Sequence, residues 1–327
     1  MFRNTRTLAF LCMLLILIML SACGTVATPP AQTSESSQPA NKTETDKAVT
    51  RIFKDVQGRE VKIPVTPQKV VYVGSNPGDL LAIGIKPVGA TLSVIASQIA
   101  YPEMIEGITD VGYPYSQEKI LALEPDLIIF DDWDVKGLAP LEKIAPTIVT
   151  GLDDATPTKE RVMLTADVLG RTEAAEAWFK TYEEKAAATK KKLQLKGNET
   201  AVSLLLMGKN MFIMGNQGLN TTLYGQLGFK PSAGTQQLVD KNERFVDISS
   251  EVLPDYMGSD IFILNDSVSE TVTAQNTLMD SAIWKTIPAV KQGHVYTLNS
   301  KFNYDDPITL DLLLDEIVQV MSGAGKK

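Results

Sequence analysis

Few residues in this chain are equipped to do chemistry, and their spacing excludes most reactions. There is one histidine, His294, and there are two cysteines, Cys12 and Cys23. A zinc finger, a multi-histidine zinc site or a disulfide scaffold cannot be assembled from that inventory. The G-x-G-x-x-G, P-loop, H-E-x-x-H and G-x-S-x-G patterns are all absent. Ser75 lies between Gly74 and Gly78, at the wrong spacing for a nucleophile elbow. Adjacent acids occur at Asp131-Asp132, Asp153-Asp154 and Asp305-Asp306. Sequence neighbours on a strand point to opposite faces, so these are poor acid–base pairs and read as loop or cap residues. His294 follows Gln292-Gly293 and reads as an exposed turn residue. Without a Ser/His, Cys/His or metal constellation the chain reads as a binding module, not an enzyme. An extracellular hydrolase would have to work with one histidine held in a turn.

Any binding residues must be positioned by the rest of the chain. Its 327 residues are enough for about two domains, and 44% are apolar, which supports a sizeable core. Lys and Arg number 31 against 39 Asp and Glu, a formal charge of −8. That balance speaks against a nucleic-acid partner. The first segment reads as an address. Arg3 and Arg6 precede an apolar run from Leu8 to Leu20, the length of a signal-peptide core and short for a membrane span. It ends in Leu20-Ser21-Ala22-Cys23, which resembles the lipobox of bacterial lipoproteins, where the cysteine is lipidated and becomes the mature N-terminus. Residues 1–22 are therefore expected to leave as a signal peptide, and Cys12 with them. Residues 24–50 are rich in Thr, Ser, Pro, Gln and Ala and bury too little to offset ordering entropy. Together, 23–50 read as the lipidated cysteine and a flexible tether.

From Arg51 onward strands and helices alternate, the mark of an α/β fold. Val70–Val73, Asp126–Phe130 and Thr147–Val149 read as buried strands, and Lys86–Ala90 starts another. Gly78–Ile83, Ser116–Leu123 and Ala139–Ile144 read as short helices, with Ser116 as an N-cap and Pro125 as a stop. Helical character then runs from about 157 to 195, broken near Gly170-Arg171-Thr172 and opened by Thr156-Pro157 as cap and first-turn proline. Its Lys190-Lys191-Lys192 end suits a helix C-terminus. Strands resume at Val202–Met207, Met211–Met214, Ile261–Leu264 and Val295–Leu298, with helices at Leu219–Leu227 and Ile308–Met321. Two α/β lobes, 51–155 and 196–327, joined by a helical connector at 156–195, are the expected architecture. Clefts between such lobes are favoured ligand sites.

Five stretches, in order, resemble one family. They are Lys69–Val71 through Leu80–Gly89; Asp110-Val111-Gly112 followed by Ser116–Ile129; Ile144–Val149; Val246–Pro254; and Ile287–Tyr296. The chain is similar across 51–322 to the substrate-binding lipoproteins of bacterial ABC importers for iron–siderophore complexes and cobalamin, the type III, ferric hydroxamate-binding-like periplasmic binding proteins. The resemblance implies two Rossmann-like lobes joined by one long helix, limited hinge motion and a shallow cleft. It also implies delivery of ligand to a membrane permease paired with cytoplasmic ATPases. One glutamate on each lobe docks on permease arginines in that family, and by motif position these are Glu118 and Glu251.

Cleft residues are expected in loops at strand C-termini. That nominates Ser75, Asn76, Tyr113, Tyr115, Trp133, Lys209, Asn210, Phe212, Phe302 and Tyr304, with Arg244 and Phe245 at the rim. The set is rich in aromatics and poor in cations. A ferric tris-catecholate would call for several Arg or Lys. Only Lys209, Arg244 and Lys301 are placed for that, while Asp131, Asp132 and Asp134 would repel it. Hydroxamate complexes, near neutral or cationic, suit the lining better. The iron arrives already coordinated by its siderophore, so no cofactor and no direct metal ligand are expected. Haem could use an axial Met, but Met207, Met211 and Met214 read as core residues. Haem, cobalamin, ferric catecholate and ferric citrate remain alternatives within the family, and a surface-anchored sensor or adhesion protein is the alternative of another class.

Overall fold

The computed structural model describes residues 49–131, 135–152 and 156–323. Within the compact unit Ala48–Lys327 the described residues build a two-stranded hairpin and two larger sheets. The hairpin β1 (Thr50–Lys54) and β2 (Glu60–Pro64) comes first. The first sheet follows from β3 (Val70–Val73), β4 (Gly89–Ala90), β5 (Thr109–Asp110), β6 (Leu127–Phe130) and β7 (Thr147–Val149), in the order β5-β4-β3-β6-β7. Every pairing is parallel. A parallel sheet is covered on both faces, so its central strands read as unbroken apolar runs. Val-Val-Tyr-Val in β3 and Leu-Ile-Ile-Phe in β6 are buried throughout. Alternate residues serve opposite faces. Val70, Tyr72, Leu127 and Ile129 join one core, while Val71, Val73, Ile128 and Phe130 join another.

Helices α1 (Gly78–Ala82), α2 (Gln117–Ala122) and α3 (Leu138–Glu142) connect these strands. Ser116 caps α2 as expected, its hydroxyl accepting from the Lys119 amide. The long helical stretch resolves into α4 (Thr158–Leu169) and α5 (Thr172–Lys192), separated by Gly170 in the left-handed conformation. The expected Thr156 cap is not formed. Pro157 itself occupies the N-cap position of α4, its extended ψ of 137° lying outside the helical range.

The second sheet contains β8 (Thr200–Met207), β9 (Asn210–Met214), β10 (Lys230–Pro231), β11 (Phe245–Ile248), β12 (Asp260–Asn265) and β13 (Val295–Asn299). Its order is β11-β9-β8-β12-β13, with β10 beside β8. Unlike the first sheet it is mixed, because β9 runs antiparallel to both β8 and β11. The helices here are α6 (Ala233–Asp240), α7 (Ser269–Asp280), α8 (Ala282–Thr286), α9 (Pro288–Gln292) and α10 (Pro307–Met321). Part of the helix expected over Leu219–Leu227 is wound as a π-helix, Thr221–Leu227.

Two helices brace both sheets. In α5, Ala175 and Phe179 enter the first-sheet core, while Tyr182 and Ala186 enter the second-sheet core. In α10, Ile308 and Leu312 pack on the former, and Leu310, Leu313, Leu314 and Ile317 belong to the latter. Trp178 lies between, stacked on Tyr182 at 5.2 Å.

The β9–β11 junction depends on a glycine. Gly215 donates its amide to the Arg244 carbonyl at 2.8 Å. A Cβ there would stand 1.9 Å from the Glu243 carbonyl oxygen. Gly215→Ala is expected to cost about 1–3 kcal/mol, the usual penalty of overpacking. Urea denaturation measures it; an unshifted midpoint would show that β11 is not held at this distance.

Candidate functional site

Between the sheets lies a cleft of about 210 Å³. Its walls come from the loop after β3 (Ser75, Asn76), the segment after β4 (Val94, Ile95, Gln98) and Arg161 of α4. The opposite wall is formed by Met214, Gln217 and Gly218 after β9, by Arg244 before β11, and by Asn303, Tyr304 and Asp305 between β13 and α10.

The β3 loop is fixed by its own polar groups. The Gly74 amide donates to Thr91 Oγ1 at 3.2 Å, and Thr91 Oγ1 donates back to the Gly74 carbonyl at 2.6 Å. The Asn76 amide donates to Tyr72 Oη at 3.1 Å. Across the cleft, Tyr304 Oη donates to the Ser75 carbonyl, a direct tie between the two walls.

Beneath these groups lies a buried ion pair. Arg161 and Asp79 are both 1% exposed. The guanidinium donates through Nε to Asp79 Oδ2 at 2.9 Å and through Nη2 to Asp79 Oδ1 at 3.1 Å. It also donates to the Asp305 carbonyl at 2.7 Å and the Thr156 carbonyl at 3.2 Å. Burial works against the Arg161 charge, but the facing Asp79 carboxylate outweighs it and raises the pKa, so the group stays charged. The guanidinium is spent on structure before any ligand arrives.

Asp305 and Asp306 complete the floor. Asp306 caps α10, accepting from the Thr309 amide at 3.0 Å, and receives the Tyr101 hydroxyl at 3.1 Å. Burial pushes its pKa up to about 7 against those hydrogen bonds. Asp131, held by Tyr72 and Thr150, is pushed up to about 6 for the same reason.

The cleft thus gathers four of the nominated residues: Ser75, Asn76, Arg244 and Tyr304. The other described nominees do not line it. Tyr113 is 73% exposed, and Tyr115 turns inward, donating to the Gly137 carbonyl and meeting Phe130 edge-on at 6.2 Å. Phe302 packs on the second-sheet core. Lys209 and Asn210 sit at the β8–β9 turn. Because β9 doubles back, that turn is at the opposite end of the strand from the cleft-lining Met214. Lys209 faces Glu270 at 3.9 Å, on the rim of a different cavity. Phe212 meets Phe245 edge-on at 5.4 Å and does not line the cleft. Lys301 is half-buried outside the cleft lining. Asp131 is buried under its hydrogen bonds and is not on the ligand face. Of the three methionines expected in the core, only Met214 is buried; Met207 is 53% exposed and Met211 half-buried. Trp133, Asp132, Asp134 and Cys23 lie outside the described residues. Glu118 is exposed in the first turn of α2. Glu251 is fully exposed, its carboxyl lowered by a hydrogen bond with Ser249.

Sequence reasoning missed Arg161, Gln98, Gln217 and Asn303. Arg161 belongs to a helix read only as connector, where an arginine reads as a solvent residue. The adjacent Val162 and the later Thr165 and Ala166, all buried, were the available hint.

A family model described as "Periplasmic binding protein" matches residues 70–302. The chain belongs to this family. It is 31% identical to the iron(3+)-hydroxamate-binding protein FhuD of Bacillus subtilis (strain 168), over 94% of this chain and 95% of that one. It is 28% identical to the iron(3+)-hydroxamate-binding protein YxeB of the same organism, over 94% of each. Among solved structures it is similar to a FhuD fold-family member from Bacillus subtilis, a binding component of a Fep/Fec-like ferrichrome ABC transporter. That match has a TM-score of 0.68 and 31% identity, and covers 83% of this chain and 99% of that one. The chain is therefore homologous to FhuD-type substrate-binding proteins of ABC transporters and shares their type III α/β fold. Members of this group are binding proteins of transport systems, not enzymes. No helix among the described residues is long and apolar enough to cross a membrane.

The raised carboxyls of this periplasmic binding protein fix a pH dependence. A group with a native pKa above its unfolded value binds more protons when folded, so stability falls as pH rises between the two. For Asp306 that window runs from the ordinary aspartate value of 3.8 to about 7. Asp306→Asn keeps a good N-cap and is expected to flatten the decline by up to about 1.4 kcal/mol per pH unit. Denaturant titrations from pH 4 to pH 7 test this; equal slopes in parent and variant would refute it.

Proposed function

We propose that this chain captures a ferric siderophore of hydroxamate type in the inter-sheet cleft and hands it to a membrane permease driven by cytoplasmic ATPases. The charge state of the lining carries this reading. Only two cations line the cleft among the described residues, Arg161 and Arg244. Arg161 is neutralised by Asp79, and two more of its N–H groups are taken by the Asp305 and Thr156 carbonyls. Asp305 contributes a carboxylate, and Ser75, Asn76, Gln98, Gln217, Asn303 and Tyr304 are uncharged. A tris-catecholate trianion would find one arginine where it needs several. A neutral or cationic hydroxamate complex finds amides and hydroxyls. The similarity to two iron-hydroxamate-binding proteins supports the same class.

The cleft's 210 Å³ is below the roughly 300 Å³ at the lower end of small-ligand sites. The ligand then either stands partly out of the cleft or parts the Tyr304–Ser75 tie as it enters. The lobes at 51–155 and 196–327 and the connector at 156–195 are the parts that such an opening would move. The signal peptide and Cys23 place the protein outside the cytoplasm, held at the cell membrane by lipid through the 23–50 tether. Stable anchoring takes more than one acyl chain, as in the multiply acylated cysteine of bacterial lipoproteins. Glu118 and Glu251 serve as docking carboxylates, one for each lobe, and two separated charges set register and orientation more than affinity.

Calorimetric titration against a panel tests the ligand class. Ferrioxamine B and ferrichrome are expected to bind below micromolar Kd, with ferric catecholate, ferric citrate, haem and cobalamin far weaker. Preferential binding of the catecholate, or of haem alone, would overturn the charge argument. No binding across the panel would favour a sensor or adhesion role.

A further inference from the structure

A second cavity among the described residues, about 890 Å³, is larger than the cleft. It is a groove between the end of β8, Met211 of β9, Ser250 and the face of α7. Leu206, Met211, Val268 and Leu278 make it apolar. Its two charged side chains, Lys209 and Glu270, face each other at 3.9 Å. Single exposed apolar residues are ordinary on a protein surface, whereas a cluster around a cavity marks an interaction site. Val268 at the groove is 55% exposed, and Val272 and Met279, on α7, are 39% and 36% exposed.

The position of this groove says what covers it. Ser250 is part of its wall, and the next residue is Glu251, a fully exposed carboxylate, followed by Val252 at 40% exposure. The other lobe repeats the chemistry. Glu118 begins α2, and Leu121, three residues on and on the same helix face, is 60% exposed. Each carboxylate therefore stands beside an unburied apolar side chain. A partner that fits offers a cation next to a large apolar group. A second copy of this chain does not, because with a net charge of −8 it would bring acid to acid.

We propose that the groove beside Glu251 seats a large apolar side chain of the permease, presented next to the cation that Glu251 receives. This rests on the docking reading of Glu251 and adds to it that the second-lobe contact is built on apolar burial as well as charge. Glu251 then sets the register, and the groove holds the partner once seated.

Two substitutions test the groove without touching the cleft. Val268 is the N-cap of α7 with extended backbone, so Val268→Asn suits the helix while removing the apolar wall. Thr277→Lys places a charge in the groove at an exposed helical position. The lipidated full-length chain, loaded with ferrioxamine B, is titrated onto its permease–ATPase complex in nanodiscs while ATP hydrolysis is followed. Each variant is expected to need about tenfold more protein for half-maximal stimulation, the weight of one buried Val-sized side chain. Ferrioxamine B affinity and thermal midpoint should match the parent. If the groove variants stimulate normally while Glu251→Ala does not, the groove has no part in docking and the inference falls. If Glu251→Ala also stimulates normally, the docking reading itself falls. A parent that sediments as a dimer and variants that sediment as monomers would give the groove to a second copy and likewise overturn the inference.

Discussion

The Arg161–Asp79 ion pair is the constraint on which the cleft depends. It joins α4 to the start of α1, and through the Asp305 carbonyl it also holds the turn that enters α10. Other close contacts follow from that position. Gly78, beside Asp79, lies so near Asp306 that a Cβ would stand 2.3 Å from its Oδ1. Tyr101 reaches the same carboxyl. Two charges at 1% exposure are costly to desolvate, and removing either partner would strand the other at a cost of about 3–5 kcal/mol. The pair is tolerable because its fork is bidentate and two of its three remaining N–H donors are taken by carbonyls.

The same pairing limits recognition. A guanidinium held bidentately by Asp79 cannot reorganise around an anionic ligand without abandoning that carboxylate. The floor therefore has the shape of a cationic site and the electrostatics of a neutral one. Asp306 and Asp131 belong to the same economy: both are buried, both are raised toward neutrality, and neither faces the ligand. Asp131, which looks repulsive in a linear sequence, is in the fold bonded to Tyr72 and Thr150.

How much could be read in advance follows from which forces are local. The strands Val70–Val73 and Leu127–Phe130 were legible because a doubly covered parallel strand must be apolar at every position. Ser116 was legible as a cap because its hydrogen bond spans three residues. Gly170 marked the break between α4 and α5 for a similarly local reason, its positive φ of 65°. The placement of Lys209 was not legible. A rule that puts ligands at strand C-termini presumes parallel strands, and nothing within Asn210–Met214 announces that β9 runs back along β8. Lys209 stays at the C-terminal end of β8, and the reversal brings Met214, at the far end of β9, to the cleft. Arg161 was illegible because its burial is decided by Asp79, eighty-two positions away. Ser75, Asn76, Arg244 and Tyr304, which line the cleft, each sit in a polar loop beside a recognisable strand.

The reversal of β9 has one more consequence. Met214 lines the cleft and Met211, three residues earlier on the same strand, lines the apolar groove, a separation of about 10 Å along an extended chain. β9 is hydrogen-bonded on both sides, to β8 and β11, so the two surfaces beside the second sheet are mechanically one piece. A ligand pressing on Met214 cannot reshape the groove without unpairing a strand. On the docking reading, occupancy must then be signalled by what lies between the lobes. The Tyr304–Ser75 tie and the braces α5 and α10 set the spacing of the two carboxylates, and a ligand that alters that spacing changes how well both can be met at once.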